Sequence, residues 1–208
     1  MTTSPARART DAAATPTQPG RVSERTIRRL GLGLTTGTLI WAASIFTWTP
    51  DPKGTEGRIG DLAGLAFQLG VFCLLTIQIK TRATGKSTVL LKVEAVILGL
   101  ASIWSLLHGV LPTNLQGAVW LAFLDICWPL SMLGMAVIAV KLALTARWRG
   151  ALRWWPLVAE SWAIVTVPTS VFLGDGPATW VGGTHLLMGY ATLGVLLALR
   201  PKLVLPQH

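Results

Sequence analysis

Asp125, His108 and His185 are the side chains in this sequence best suited to acid–base work or metal ligation, and each lies in or at the end of a long apolar run. An ionisable group at membrane depth is costly, so each one placed there marks a candidate site. Asp125 sits roughly 12 Å below one end of its run at ~1.5 Å per residue. No Lys or Arg occupies that half of any run. Asp125 must then be protonated, solvated or paired. His185, at about the same depth in the last run, and His108, at the end of the third, are its expected partners, with Lys53 and Arg58 as alternatives. Pro129 cannot donate to the carbonyl of Asp125, and Pro168 leaves that of Ile164 free, beside Thr166, Thr169 and Ser170. A proline removes the bond to the carbonyl four residues earlier, and such freed backbone is tolerated where it lines a cavity. Gly182, His185 and Gly189 share one helix face by their spacing, which lets another helix or a flat ligand approach.

These residues predict a polar pocket on the outer side, made by Asp125, His185, His108, Ser105, Thr166, Thr169 and Ser170. The plainer expectation is a structural Asp125–His185 pair with hydroxyls that merely pack helices. A second layer lies toward the inner side: Glu94 and Glu160, with Lys92 and Gln78 nearby. Its plain reading is interfacial pairing with the snorkelling chains of Arg153 and Lys141. Its sharper reading is a proton- or cation-accepting Glu94, which requires Glu94 to face the bundle interior.

The elements that must position these groups follow from composition. The 208 residues are 51% hydrophobic and 13% charged, with mean hydropathy +0.55. Soluble domains carry about a quarter charged residues, so the chain reads as a membrane protein. A spanning helix needs about 20 apolar residues. Six windows qualify, approximately 30–48, 61–79, 88–107, 117–140, 156–173 and 178–199. The fold class expected is an all-α, polytopic bundle of six transmembrane helices, over 30–200. A basic, disordered cytoplasmic tail over 1–29 precedes it and a short tail over 201–208 follows. Short connections make successive helices antiparallel neighbours.

Basic residues fix the expected orientation. Arginines before the first window, Lys80, Arg82 and Lys86 after the second, Lys141 to Arg153 after the fourth, and Arg200 and Lys202 after the sixth all fall on one side. The other side has Lys53 and Arg58, offset by Asp51 and Glu56. Both termini are expected in the cytoplasm, with the protein in a plasma or inner membrane. Tryptophan favours the headgroup level. Trp148, Trp154 and Trp155 fall at the inner interface and Trp48, Trp104, Trp120 and Trp180 near the outer one, while Trp41, Trp128 and Trp162 are deep. The net charge of +9 is therefore assigned to membrane sidedness, with the bilayer as partner and no nucleic acid. The arginine-rich tail reads as a retention signal, or as an anionic-lipid tether. A cleaved signal peptide is not expected. Gly33/Gly37 and Gly60/Gly64 read as helix packing, with a homodimer or another membrane protein as the alternative partner.

Cys73 and Cys127 form neither a disulfide framework nor a zinc motif. H-E-x-x-H, G-x-S-x-G and P-loop motifs are all missing. The expected function is a non-catalytic accessory or a small-molecule- or lipid-binding bundle without cofactor. Two alternatives use the same residues. A lipid hydrolase or transferase would take Asp125 and His185 as base and orienter with Ser105 or Ser170 as nucleophile, or a divalent metal on Asp125, His108 and His185. A b-type haem protein would take His108 and His185 as axial ligands, with Gly182 and Gly189 making room. The run from Trp128 to Met135 looks motif-like, and its plain reading is a proline-kinked packing segment with adaptable methionines.

Overall fold

A computed structural model describes residues 22–48 and 54–205, and among these the chain is helical with no strand. Six segments are long and apolar enough to cross a membrane: Glu24–Thr47, Thr55–Lys80, Val89–Val110, Val119–Thr145, Ala151–Leu173 and Asp175–Leu199. The first three are the unbroken helices α1 (Glu24–Thr47), α2 (Thr55–Thr81) and α3 (Val89–Val110). A short α4 (Thr113–Gln116) leads into the fourth segment, which divides into α5 (Val119–Asp125) and α6 (Cys127–Thr145). The fifth divides into α7 (Ala151–Glu160) and α8 (Trp162–Leu173). The sixth runs through α9 (Asp175–Leu186), a π-helical turn (Leu187–Ala191) and α10 (Thr192–Leu199).

The helices outrun their apolar windows wherever polar residues can begin them. Ser23 caps α1, its hydroxyl accepting from the Thr26 N–H at 3.1 Å, and Glu24 occupies the first turn. A hydroxyl cap and an acid at the positive helix end are both stabilising. Arg25, Arg28 and Arg29, expected in the tail, therefore lie on α1. The rest of that tail up to position 21, and residues 206–208, fall outside the described residues. α2 begins six residues before its window, which places Asp61 nearly two turns inside it rather than at its start. The break at Ile126 lies three residues before Pro129, as the missing donor dictates.

Successive segments pack as neighbours, α1 on α2, α2 on α3, α3 on α6, α6 on α7 and α8 on α9, and α1 also packs along α10. Small residues permit the closest approaches. A side chain on Gly37 would strike the Ala66 backbone, and a Cβ on Gly31 would lie 2.7 Å from the Gly194 carbonyl. Gly33 and Gly37 are thus used within this chain, against α2. The start of α1 and the Pro201–Leu203 turn pack together, and this end of the bundle is called proximal here. The distal end carries α4 and the α8–α9 turn at Gly174, where φ is +85° and glycine relieves the strain of a left-handed position.

The dense core lies in the proximal half, where Ile27, Leu74, Leu142, Leu152 and Leu197 are fully buried. In the distal half α8 buries none of its residues and packs chiefly on α9. Apolar side chains cover the outside, with Phe172 82% and Leu144 77% exposed. Trp120, Trp154 and Trp180 are exposed as an interfacial ring requires. Trp148 departs from that expectation. It is fully buried beneath the bundle, and its indole N–H donates to Thr81 Oγ1 at 3.0 Å. The loop behind it is tied down by Thr145, whose hydroxyl donates to the Ala83 carbonyl at 2.8 Å. A buried indole fills volume that a headgroup anchor does not. Trp148→Ala is expected to cost roughly 3–5 kcal/mol, read as a lower thermal midpoint in detergent, and an unchanged midpoint would show that this loop is not part of the core.

Candidate functional site

A cavity of about 640 Å³ opens in the distal half, lined by residues of all six segments. Five tryptophans line it, Trp41, Trp48, Trp104, Trp128 and Trp162, together with Asp61, Asp125 and Asp175. The rings support one another. Trp41 lies 5.5 Å from Trp128 and 5.9 Å from Trp162, and stacks on Phe67 at 4.7 Å. Trp104 stacks on His108 at 4.9 Å and meets Trp128 edge-on. Gly64 seats this cluster, since a methyl group there would lie 3.2 Å from the Trp128 ring. The Trp162 N–H donates to the Gly182 carbonyl at 3.0 Å, and Gly182 abuts Thr166. Among the described residues lining the cavity there is no Lys or Arg.

Of the expected pocket residues, Asp125, His108, Thr166 and Ser170 line this cavity, and His185, Ser105 and Thr169 do not. The expected Asp125–His185 pair does not form. His185 Nε2 lies 3.0 Å from Ser161 Oγ, on the side where α8 and α9 pack. The two groups share a depth, but the phase of α9 turns the imidazole elsewhere. His108 is also taken, with Nδ1 2.7 Å from Asp61 Oδ2. Arg58, the alternative cation, donates to the Leu111 carbonyl at 2.8 Å, and Lys53 falls outside the described residues. Among the described residues Asp125 has no bonded partner, and it is exposed to the cavity at the helix break. Ser105 is sealed in the interior, its hydroxyl without a partner. Thr169 donates to the Val165 carbonyl at 2.7 Å, and Ser170 to Asp175 Oδ1 at 2.6 Å.

The inner layer differs from its expected form as well. Glu94 is 1% exposed and accepts from the Ser131 hydroxyl at 2.5 Å, and Glu160 accepts from the Tyr190 hydroxyl at 2.6 Å. Neither pairs with a base among the described residues. Arg153 donates to the Ala143 carbonyl at 2.9 Å and lies over the Trp154 ring, and Lys141 and Lys92 are exposed. The inward faces of α3 and α7 carry the carboxyl groups away from the surface to which those bases reach. Gly134 receives the Glu94 carboxyl, and any side chain there would collide with it. The Trp128–Met135 run is thus more than a packing segment. Trp128 walls the cavity, Ser131 holds Glu94, and Gly134 gives it room.

The residues do not fit the metal or haem arrangements. Among the described residues there is no group of three His, Cys, Asp or Glu placed to hold a metal. Gly189 is filled by the α7 backbone, with Ala159 Cα 2.8 Å from where a Cβ would stand, so it spaces helices rather than a porphyrin. A serine nucleophile would need an adjacent base. Ser170 bonds an aspartate with no histidine between them, and Ser105 lies outside the cavity.

Sequence reasoning missed Asp61, Gln68, Ser131 and Tyr190. Asp61 carried the one available signal, an acid in register with Gly64 and Gln68 on one face of α2. If Asp61 and His108 hold each other, Asp61→Asn and His108→Ala will not add. A double-mutant cycle on thermal stability is expected to give a coupling of roughly 0.5–3 kcal/mol, and additivity would show that the pair contributes nothing. Comparison with protein-family models, with curated proteins and with solved structures finds no match to this chain.

Proposed function

We propose that the protein is an integral membrane protein that binds amphiphilic organic cations, without catalysis, in its distal cavity. The observation that carries this reading is the cavity wall, five tryptophans with three aspartates and no Lys or Arg among the described lining residues. Its volume of about 640 Å³ falls within the ~300–1,000 Å³ of small-molecule sites. Aromatic faces attract a cation through the ring quadrupole, by up to about 2 kcal/mol when water is excluded. Asp125 and Asp175 supply negative charge at the rim, and the stacked indoles supply apolar area. Apolar side chains are exposed on the fourth and fifth segments, Phe123 and Ile164 among them. A ligand with a greasy body can therefore arrive from the lipid side.

The setting is part of the proposal. The exposed apolar belt suits hydrocarbon and would be a severe aggregation liability in water. Lys80, Arg82, Lys86, Arg147, Arg149 and Arg200 gather at the proximal end, so the positive-inside rule puts both termini in the cytoplasm and the cavity outside. Lipid hydrolysis and haem binding lack a comparable observation, because their residues do not assemble.

Two measurements test this reading. Tetraphenylphosphonium should quench tryptophan fluorescence saturably in nanodiscs, and the isosteric anion tetraphenylborate should not. Trp41→Ala and Asp125→Asn should each weaken binding about tenfold, the equivalent of ~1.4 kcal/mol. Equal binding of cation and anion would refute the ligand class. For sidedness, a membrane-impermeant maleimide should label Asn114→Cys in intact cells and leave Ser87→Cys unlabelled, and the opposite pattern would invert the protein.

A further inference from the structure

Below the large cavity lies a second, of about 30 Å³, lined by Gln68, Ser131 and Tyr190 among apolar neighbours. That volume holds about one water molecule. Gln68 is 2% exposed, and neither its amide oxygen nor its nitrogen has a partner among the described residues. A buried amide left unpaired in an apolar bundle is costly, and a water in this cavity would satisfy it. Ser131 and Tyr190, on the same small cavity, are the residues that donate to Glu94 and Glu160. The second oxygen of Glu160, Oε1, is buried and unpartnered. Trp128 lines both cavities. On α2, Asp61, Gly64 and Gln68 fall at i, i+3 and i+7, a stripe from the upper cavity to the lower.

We infer that Glu94 and Glu160 form a buried proton-binding site that exchanges protons with the distal cavity through Gln68 and the water-sized space beside Trp128.

The charges around the carboxyl pair favour a proton over a metal cation. Glu94 lies within coulombic reach of Glu160, so two full negative charges would repel across an apolar interior. No base compensates them among the described residues. Lys80, Lys92 and Lys141 are exposed, and Arg153 is engaged with Ala143 and Trp154. Of the other titratable groups on the packed helices, Asp61 and Asp125 line the upper cavity and His185 bonds Ser161. Cys73 abuts Gly33, and Cys127 is half-buried at the start of α6. Each carboxyl group is met by a single hydroxyl within hydrogen-bond distance, Ser131 at Glu94 and Tyr190 at Glu160, which is fewer oxygens than a metal cation takes. The exchange itself is a proton transfer. A carboxyl O–H breaks as a water O–H forms, the water passes one of its own protons toward the upper cavity, and a proton returning by the same path restores the carboxyl O–H, so the site ends neutral with its proton exchanged.

Infrared spectroscopy of the full chain in lipid films reads this without any ligand, so its outcome is separable from the cation-binding assay. The wild type should show protonated-carboxyl C=O bands near neutral pH. Glu94→Gln and Glu160→Gln should each remove one, and Tyr190→Phe, which keeps both acids, should shift the Glu160 band. Transfer into heavy water should move these bands, severalfold more slowly in Gln68→Leu and faster in Trp128→Ala. The inference is overturned if the wild type lacks such bands, if neither glutamine substitution nor Tyr190→Phe alters them, or if Gln68→Leu and Trp128→Ala leave the exchange rate unchanged. Bands that appear only when sodium is withdrawn would mark a metal-cation site and overturn it equally.

Discussion

Glu94 and Glu160 enter an apolar bundle with hydroxyl donors, Ser131 and Tyr190, to meet them and no base within bonding distance among the described residues. Burying an ionised carboxyl without compensation costs far more than a small domain can offset. That constraint organises the proximal half. It fixes the phase of α3, because Glu94 must face α6 to reach Ser131. It fixes Gly134, because any larger residue would occupy the carboxyl's place. It ties the π-helical turn to α7 as well. The extra residue of a π turn shifts the side chains that follow it relative to those before, and Tyr190 lies within this one.

The distal half obeys a different balance. Its polar groups reach an open cavity, so they need fewer partners, and its helices pack more sparsely. α8 buries nothing and the fourth segment is broken at Ile126. Much of the cohesion there comes from indoles. Trp41 packs against both Trp128 and Trp162, joining three segments, and Trp104 carries the contact to His108. Aromatic pairs contribute roughly 0.5–1.5 kcal/mol beyond the area they bury, and they do so while leaving ring faces available. The same side chains hold the cavity open and line it.

Six helices and their approximate bounds were legible because hydropathy reports depth directly. Asp125 and His108 were legible as cavity residues because a charge in an apolar run stands out against its surroundings. Partner choice was not legible, since depth along a segment says nothing about its rotation relative to segments three or four places away. Asp125 and His185 matched in depth and faced apart. Asp61 was hidden by the polar turn of α2 that precedes it, which made it resemble a boundary. Gln68 and Tyr190 carry no charge at neutral pH, so a search for ionisable groups passed over them. Trp148 was misplaced because indole suits an interface and a core alike, and only packing separates the two.

The two cavities also bear on each other electrostatically. Asp125 and Ser131 are six residues apart on the fourth segment, about 9 Å of helix rise. At ~10 Å and an effective dielectric constant near 20, unit charges interact by roughly 1.7 kcal/mol. The apolar wall around Trp128 screens that interaction less than bulk water would. A cation resting on the indoles would therefore favour a negative carboxyl pair below it over a neutral one, and by linkage a proton below would oppose the cation above to the same extent. Such coupling needs no helix to move. It follows from the short distance between the tryptophan-lined cavity and carboxyl groups that meet no base among the described residues.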